Sequence, residues 1–399
     1  MKKVKYLILG AGPAGLTFAN MLLKRGEDSF LVLEKEQEAG GLCRSCVVDG
    51  SELDFGGGHF LDVRRPEVVE FLFEFMPKEE WNIFDRDSRI KIHDTYIGHP
   101  FEANIWQLPQ NLQEMYLESI KNAGCNNEEP QPEKFTEWIY WKLGDAIADN
   151  YMLPYNRKMY GEELDELGTY WLEKLPNVSY EETLLSCKEH KPYGTQPGHA
   201  QFYYPKDAGF GEVFRRMAEK LGDRICYNEP VKVLDMERCM VNETYEAEKI
   251  ITTIPWTGIE TIVGFSEEDM QNITKLKHTG ICVDYFPEDM DSEAQWIYYP
   301  DEETVYHRIL ARHNFLPGSK GYWTETNAKR RNKMELDSKE SFYNDYAYPL
   351  NTIGKNEIME ELLKKAEAKS VFGLGRWGEW QHYNADLVIY KAMKLAQIL

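Results

Sequence analysis

The sequence lacks a long apolar run, an excess of positive charge and a regular cysteine framework, and each absence excludes a class of protein. No apolar stretch approaches the roughly 18 residues of a membrane-spanning helix, so no membrane span is expected. The formal net charge of −21 disfavours nucleic acid and anionic lipid surfaces as partners. The 7 cysteines are irregularly spaced, which argues against a disulfide framework and favours a reducing, cytoplasmic compartment.

The N-terminus also lacks the pattern of a secretory leader. MKKVKYLILG runs directly into a glycine-rich turn, without the apolar length or the cleavage site of a signal peptide. Cys43 and Cys46 form a CxxC pair, but the sequence has no second pair to complete a zinc site, and no metal is expected. Packing beside the first strand and helix is the favoured role of this pair, and a redox role is the alternative.

What is present at the N-terminus is the pattern of a strand, a tight turn, a helix and a second strand. Val4–Leu9 and Phe30–Leu33 are apolar runs, and Ala14–Arg25 has helical periodicity. Between them, Gly10-Ala11-Gly12-Pro13-Ala14-Gly15 matches G-x-G-x-x-G, in which the glycines allow the turn, the approach of a pyrophosphate and close helix packing. Glu34 ends the second run, where a carboxylate accepts a hydrogen bond from an adenosine ribose. The pattern therefore predicts a dinucleotide site at a helix N-terminus.

Two further glycine-rich segments favour FAD over NAD as the dinucleotide. Gly40-Gly41-Leu42-Cys43-Arg44-Ser45 and Gly56-Gly57-Gly58-His59 follow Glu34 closely. Glycines in such loops let the backbone approach a flat ligand, and Arg44 can pair with a phosphate. Non-covalently bound FAD is the predicted cofactor, and ordinary turns are the alternative.

Six stretches beyond this fingerprint carry a resemblance to a known family. They are Asp54-Phe55-Gly56-Gly57-Gly58-His59, His99-Pro100-Phe101-Glu102-Ala103-Asn104, Pro154-Tyr155-Asn156-Arg157-Lys158-Met159-Tyr160-Gly161, Tyr306-His307-Arg308, Ala347-Tyr348-Pro349 and Gly375-Arg376-Trp377-Gly378-Glu379-Trp380. With Asn384 and Asp386 after the last stretch, the chain resembles the FAD superfamily of amine oxidases, protoporphyrinogen oxidases and UDP-galactopyranose mutases. Within it, the chain is most similar to the UDP-galactopyranose mutases.

The pattern along the chain and this resemblance together predict an α/β fold: a Rossmann-type FAD-binding domain (GR2-like) with an inserted helical lobe and a mixed or antiparallel β-sheet substrate lobe. The FAD-binding domain is expected to comprise residues 1–75, 199–265 and 355–399. Residues 76–198 are expected to form the mainly helical substrate lobe, and residues 266–354 the antiparallel sheet lobe. Strands are predicted at Val231–Leu234, Cys239–Val241, Lys249–Ile254, Trp296–Tyr299, Thr304–Ala311 and Ser370–Leu374, and helices at Gly209–Leu221 and from about Asn384.

The resemblance also implies roles for individual residues. The cofactor-binding residues are expected to be Gly10, Gly12, Pro13, Ala14, Gly15, Glu34, Lys35, Gly41, Leu42, Arg44, Gly57, Gly58, His59, Val231, Gly375, Arg376, Asn384 and Asp386. The substrate-binding residues are expected to be Phe101, Tyr155, Asn156, Tyr160, Arg308 and Tyr348. The catalytic residues are expected to be His59, Arg308, Tyr348, Lys174 and His382, with Arg308, Lys174 and Tyr348 holding the departing diphosphate.

The sequence departs from the mutase pattern at three of these places. Lys174 stands where the mutases have an arginine, and a lysine is a point charge rather than a bidentate fork. His382 and Phe315 stand where tyrosines are expected. For the residues that are present, the alternatives are a structural ion pair for Arg308, a surface cation for Lys174, a core histidine for His59, and packing for Phe101, Tyr155 and Tyr160.

The function implied by the resemblance is interconversion of the pyranose and furanose forms of a UDP-sugar. Reduced flavin would attack the anomeric carbon through N5, and UDP would leave and return around a flavin–sugar adduct. Two alternatives stay open: an amine oxidase or protoporphyrinogen oxidase type of oxidoreductase, and an inactive FAD-binding relative of the mutases. The sequence does not specify the sugar, and it leaves a homo-oligomer open.

Overall fold

The computed structural model describes residues 1–172, 177–194, 200–332 and 336–399, and Lys174 lies outside these ranges. The strands are β1 (Lys2–Leu9), β2 (Phe30–Leu33), β3 (Ser45–Val48), β4 (Ser51–Asp54), β5 (Leu61–Asp62), β6 (Trp81–Asp85), β7 (Ser88–Ile92), β8 (Thr95–Gly98), β9 (Gln201–Pro205), β10 (Ile225–Cys226), β11 (Val233–Asp235), β12 (Met240–Val241), β13 (Tyr245–Thr252), β14 (Thr261–Val263), β15 (His278–Phe286), β16 (Trp296–Tyr298), β17 (Arg308–Ala311), β18 (Tyr322–Asn327), β19 (Glu340–Pro349) and β20 (Val371–Gly373).

The α-helices are α1 (Pro13–Lys24), α2 (Pro66–Phe73), α3 (Phe101–Asn104), α4 (Gln110–Lys121), α5 (Phe135–Ile147), α6 (Leu153–Tyr160), α7 (Tyr180–Glu189), α8 (Gly211–Leu221), α9 (Glu267–Thr274), α10 (Ala328–Arg331), α11 (Lys355–Glu367), α12 (Gly375–Gly378) and α13 (Ala385–Ile398). The strands and helices predicted from periodicity are present, with ends displaced by a few residues.

One sheet brings the two ends of the chain together. Its order, within the described residues, is β10-β2-β1-β13-β12-β11-β14, with β20 also paired to β13. Along β1, Tyr6 and Ile8 belong to one hydrophobic core and Leu7 and Leu9 to another. Because both faces are buried, the strand is a continuous apolar run rather than an alternating one. Helices α8 and α13 pack against α1 on one face.

A second sheet has the order β19-β15-β18-β17-β16-β7-β8 in the part of the chain that is described. It is antiparallel except that β16 pairs in parallel with β7. The smaller groupings are the β3–β4 hairpin and the sheet β5-β9-β6. The Rossmann unit and the second sheet confirm the predicted fold class.

Residues 81–98 are a β-rich part of the segment 76–198, which is expected from the sequence to be mainly helical. They form β6, β7 and β8, and the helices of this segment follow from Phe101. Ser88, Ile90 and Ile92 are buried while Arg89 and Lys91 are half-buried, a period of two that is typical of a strand. The domain limits themselves stay a prediction.

Candidate functional site

The turn between β1 and α1 meets the geometric demands of a dinucleotide-binding motif. Gly10 has φ 98°, and a Cβ there would lie 2.6 Å from Thr253 Oγ1. A Cβ on Gly15 would lie 2.0 Å from the Gly10 carbonyl oxygen, so α1 packs directly on the turn. A Cβ on Gly12 would meet nothing closer than Gly41 Cα at 3.9 Å. The space beside Gly12 is therefore open for a ligand at the N-terminus of α1.

A cavity of about 430 Å³, here named the N-terminal cavity, extends from this turn. The predicted cofactor residues that line it are Gly10, Gly12, Pro13, Ala14, Glu34, Lys35, Gly41, Leu42, Arg44, His59, Val231 and Arg376. Glu34 Oε2 accepts from the Ala11 N–H at 2.7 Å, and Glu34 Oε1 accepts from the Glu36 N–H at 3.0 Å. These bonds hold the carboxylate in the cavity wall, where it has further capacity to accept from a ribose hydroxyl.

The residues around the N-terminal cavity fit a dinucleotide. Gly12 is the N-cap of α1 and supplies no side-chain cap, so the first-turn N–H groups are available to an anion. Arg44 donates from Nε to the Gly41 carbonyl at 2.9 Å, which holds its guanidinium beside the glycine-rich loop. An open cradle, helix N–H groups, an acid and a cation match the adenosine and diphosphate of an adenine dinucleotide.

A second cavity of about 210 Å³, here named the sheet cavity, adjoins the second sheet. The predicted site residues that line it are Gly57, Gly58, His59, Arg308, Tyr348, Arg376, His382, Asn384 and Asp386. His59, Arg376 and Ala385 line both cavities, so the two spaces meet at these residues. The His59 loop and the Arg376 turn are far apart in sequence, and the fold brings them to the same junction.

His59 is neutral at this junction. Burial and the nearby Arg376 guanidinium lower the pKa of His59 to about 3. Its Nδ1 lies 2.9 Å from the Gly57 carbonyl oxygen, and we assign the proton to Nδ1 because a carbonyl can only accept. The Nε2 lone pair is then an acceptor, which makes His59 a hydrogen-bond partner for an N–H or O–H of a ligand.

Arg308, on β17, is held by a buried carboxylate that the sequence did not reveal. Its Nε and Nη2 donate to Glu325 Oε2 at 2.8 and 2.5 Å, and Nη2 lies 3.4 Å from the Tyr348 hydroxyl. Glu325 is fully buried, and its Oε1 accepts from the Gly58 N–H at 2.8 Å. Burial opposes the charge of Arg308, but Glu325 raises the Arg308 pKa well above its ordinary value. The ion pair thus links the diphosphate candidate to the glycine loop.

Arg376 is a buried cation whose hydrogen bonds go to carbonyl oxygens. Nε and Nη2 donate to the Tyr383 carbonyl at 3.1 and 2.8 Å, and Nη1 donates to the Ala347 carbonyl at 2.9 Å. Burial lowers the pKa of Arg376. Within the described residues its hydrogen bonds engage no carboxylate. A positive charge held this way at the junction of the cavities favours an anionic or electron-rich ligand group.

The predicted site residues on α6 line neither described cavity, whereas their neighbour His382 does line one. His382 lines the sheet cavity, with its ring 4.9 Å from the Tyr348 ring and 6.5 Å from the Tyr160 ring. Tyr160, Tyr155 and Asn156 line neither cavity of the described chain, although their neighbour Met159 lines the sheet cavity. Tyr155 packs against Tyr151 and Tyr298.

Three further predicted site residues, Phe101, Gly15 and Gly375, pack inside the fold and line neither described cavity. Phe101 is fully buried and stacks on Tyr151 at 5.2 Å, so the geometry favours the packing alternative over contact with a uracil. Gly15 and Gly375 pack within the fold, and a Cβ on Gly375 would lie 2.8 Å from Ala14 Cβ. Lys174 falls outside the described residues. Asp386 does line the sheet cavity, and its carboxylate is paired with Arg65.

Sequence reasoning missed Glu325, Arg65 and Arg86. Arg86 precedes β7 and lines the sheet cavity. Glu325 had one signal, because an acid in the apolar and threonine-rich run Tyr322–Asn327 is an unusual residue for a buried strand. Arg86 had no such signal, because it lies between two aspartates in a charged segment.

Two findings concern other kinds of site. Of the helices described, none has the length and apolar character needed to cross a membrane. The described ranges also contain no group of histidine, cysteine and acidic side chains arranged to hold a metal ion.

The fold and the first cavity define a class of protein. Residues 8–75 match the NAD(P)-binding Rossmann-like domain family. Residues 8–75 therefore form a dinucleotide-binding domain, and the chain has a fold that is shared by solved structures of a mutase and of amine oxidases.

Comparison with particular proteins supports this class. A reduced UDP-galactopyranose mutase superposes with a TM-score of 0.88 at 21% identity, covering 99% of this chain and 93% of that one. A protein described as a candidate protoporphyrinogen oxidase from Exiguobacterium sp. 255-15 gives a TM-score of 0.69 at 14% identity, with 99% and 98% covered. An engineered putrescine oxidase gives 0.66 at 14% identity, with 99% and 98% covered. At these identities the likeness establishes the fold.

A curated relative matches over a short segment. An uncharacterized protein in the nifH2 3′ region of Methanothermococcus thermolithotrophicus is 47% identical over 53 residues, which is 13% of this chain and 50% of that protein. The match thus spans half the length of this relative, and it carries no information on activity.

Proposed function

We propose that this chain is an FAD-dependent enzyme of the UDP-galactopyranose mutase kind, which interconverts the pyranose and furanose forms of a UDP-linked sugar. One observation carries the proposal: the N-terminal cavity meets the sheet cavity at His59 and Arg376, and Arg308 and Tyr348 line the sheet cavity. A flavin ring reaching that junction from the N-terminal cavity would face a substrate whose diphosphate lies near Arg308.

The residues of this chain would then hold the reactants and stabilise the leaving group. When bound in its reduced form, the flavin would supply the electron pair for attack at the anomeric carbon, with UDP as the leaving group. Arg308 and the Tyr348 hydroxyl would donate hydrogen bonds to the departing diphosphate, whose negative charge grows as the glycosidic bond breaks. His59, neutral, would accept a hydrogen bond at Nε2 beside the junction.

One wall of the sheet cavity is apolar. Phe60, Phe202, Trp296 and Met159 line it, and Phe60 packs 4.4 Å from the Trp296 ring and 4.7 Å from the Phe202 ring. An apolar wall limits the access of water that would otherwise hydrolyse an activated sugar, and it strengthens the interaction of Arg308 with phosphate.

The cations of the sheet cavity weigh against an amine oxidase. Arg86 and Arg376 line the same small space and, among the described residues, pair with no carboxylate there, so a protonated amine would meet like charges. Because a putrescine oxidase has a similar fold, the experiment below measures oxidase activity together with mutase activity.

The decisive experiment is anaerobic incubation of the dithionite-reduced, flavin-loaded protein with UDP-galactofuranose, followed by chromatography for UDP-galactopyranose. We expect the ring isomer to form with reduced protein and to be absent with oxidised protein. Oxygen-dependent amine oxidation without ring interconversion would favour the oxidase. Binding of UDP without either reaction would indicate an inactive relative, and each of these two results contradicts the proposal.

A further inference from the structure

The sheet cavity contains a cation that the proposed reaction does not use. Arg86 lies just before β7, and its guanidinium is positioned by neutral partners. Nε donates to Ser88 Oγ at 2.7 Å, Nη2 donates to the Tyr298 hydroxyl at 2.7 Å, and Cζ lies 4.3 Å from the centre of the Trp296 ring. Three side chains therefore fix the orientation of one guanidinium at the cavity wall.

The remaining donor of Arg86 is open. Among the residues described, Nη1 makes no hydrogen bond and no carboxylate forms an ion pair with Arg86. The acids on either side in sequence have other partners: Asp87 pairs with Arg89 at 2.7 Å, and Asp85 accepts from Gln201 at 2.8 Å. The Arg86 N–H donates to the Ala200 carbonyl oxygen. Residues 195–199, directly before Ala200 in the sequence, include no Asp or Glu.

The two acids that line the sheet cavity are already paired with other arginines. Asp62 accepts from the Arg64 Nε at 2.7 Å and from the Arg64 backbone N–H at 2.9 Å, and Asp386 pairs with Arg65. Arg308 is likewise paired with Glu325. Among the described residues, Arg86 and Arg376 are therefore the arginines of the cavity wall that have no acidic side-chain partner. They lack one although the net charge of the protein is −21.

The position of Arg86 relative to Arg308 bears on which part of a substrate Arg86 would contact. Tyr298, which binds Arg86, is the register partner of Arg308 across β16 and β17, and it is also the partner of Ile90 on β7. Arg86 therefore approaches the cavity from the β7 side, two strands from the β17 arginine assigned to the diphosphate. A substrate with its diphosphate at Arg308 and its anomeric carbon at the junction would hold its sugar within the same small cavity, whose wall includes Arg86.

We propose that Arg86 binds an anionic substituent on the sugar, a carboxylate, so that the preferred substrate is a UDP-linked uronic acid rather than a neutral UDP-hexose. This inference rests on the proposed function. One open nitrogen with two N–H donors and one positive charge matches a monoanionic carboxylate. Fixation by Trp296, Ser88 and Tyr298 reduces the side-chain entropy that would be lost on binding.

The test compares the binding of UDP, UDP-galactose and UDP-galacturonate to the reduced, flavin-loaded protein by calorimetry. The variants are Arg86→Leu and Arg86→Lys. The matched control is Arg89→Leu, because Arg89 is on the same segment, is paired with Asp87 and does not line either described cavity. Flavin content and the thermal midpoint of each variant report whether it folds.

We expect the natural protein to bind UDP-galacturonate about tenfold or more tightly than UDP-galactose, as for one charge-assisted hydrogen bond. Arg86→Leu should abolish this preference and leave UDP affinity nearly unchanged, Arg86→Lys should keep part of it, and Arg89→Leu should behave as the natural protein. If Arg86→Leu does not fold, the Arg86→Lys result decides: an undiminished preference would overturn the assignment.

Three other outcomes would overturn the inference. UDP binding without a preference for the carboxylated sugar would overturn it alone and leave the proposed function standing. An equal loss of UDP affinity in Arg86→Leu would assign Arg86 to the diphosphate instead. Failure of the flavin-loaded protein to bind UDP at all would overturn the nucleotide-sugar proposal together with it.

Discussion

The Arg308 guanidinium donates twice to Glu325, and the same carboxylate accepts from the backbone of Gly58. Arg308 therefore has two functions in this structure: it neutralises a buried acid, and it faces the sheet cavity. The two functions can be separated by mutation, because the ion pair stabilises the fold whereas the cavity-facing side would bind the proposed diphosphate.

Removal of Arg308 alone leaves Glu325 buried without its cation, which costs about 3–5 kcal/mol in comparable pairs. We expect Arg308→Ala to lower the thermal midpoint and to reduce sugar interconversion by about 10²–10³-fold, the effect of losing one donor to a developing anion. The measurements are a thermal melt and the anaerobic ring-isomer assay.

The control is the double variant Arg308→Ala with Glu325→Gln, which removes the uncompensated charge. It should recover stability and stay inactive while keeping its yellow flavin. Full activity in this folded double variant would show that Arg308 does not act on the diphosphate.

At the scale of elements, a buried carboxyl group on β4 bonds to three other parts of the fold. Asp54 ends β4, and its oxygens lie 2.5 Å from Ser45 Oγ on β3, 2.9 Å from the Tyr204 hydroxyl on β9 and 3.0 Å from the Phe210 N–H before α8. Burial raises the pKa of Asp54 to about 7, although these hydrogen bonds oppose the rise. The protonated form is therefore favoured by folding.

This shift predicts a pH dependence of stability with a definite sign. The folded-state pKa of about 7 lies above the ordinary value of 3.8, so the folded state binds more protons between these values. The contribution of Asp54 to stability is complete at low pH and is lost as pH rises toward 7. The free energy of unfolding should fall by at most about 1.4 kcal/mol per pH unit in that window, as measured by denaturant titrations.

The control for this dependence is Asp54→Asn, which cannot ionise. The free energy of unfolding of this variant should not show the decrease between about pH 5 and 7 that ionisation of Asp54 causes, because the variant has lost that single titrating group. An identical pH profile in both proteins would show that another group is responsible. Because Asp54 joins β4, β9 and α8, the comparison also reports whether these elements unfold together.

At the scale of the whole molecule, the N-terminal cavity is built from segments that span almost the entire chain. Its wall includes Gly10 after β1, Val231 before β11, Tyr346 on β19 and Val388 on α13. A ligand in this cavity therefore contacts both ends of the sequence and stabilises the folded state by mass action.

Flavin removal should accordingly lower the thermal midpoint, and added FAD should restore it in a concentration-dependent manner. At an FAD concentration of 100 times Kd the stabilisation is about 2.7 kcal/mol. The control is Gly12→Val, whose side chain would occupy the open space beside the turn without meeting a described protein atom closer than 3.9 Å at Cβ. This variant should fold, lack flavin colour and show no response to FAD, whereas a normal flavin spectrum would refute the dinucleotide assignment.

Residues that lie close together in sequence were enough to predict a dinucleotide site. The Gly10–Gly15 turn, the Glu34 carboxylate and the 40–45 loop belong to a single strand–helix–strand unit, and their spacing predicts the geometry directly because the chain between them is short. The fold class followed from the same unit, together with the motifs that carry the family resemblance.

Only the tertiary structure decided the composition of the sheet cavity. The pairing of Arg308 with Glu325 depends on the β17–β18 register, and the position of Arg86 depends on the β7–β16 pairing between segments about 200 residues apart in sequence. The burial of Phe101 depends likewise on its packing against Tyr151. Strand register between distant segments is set by the burial of whole faces, so no local spacing reveals which charged side chains share one cavity.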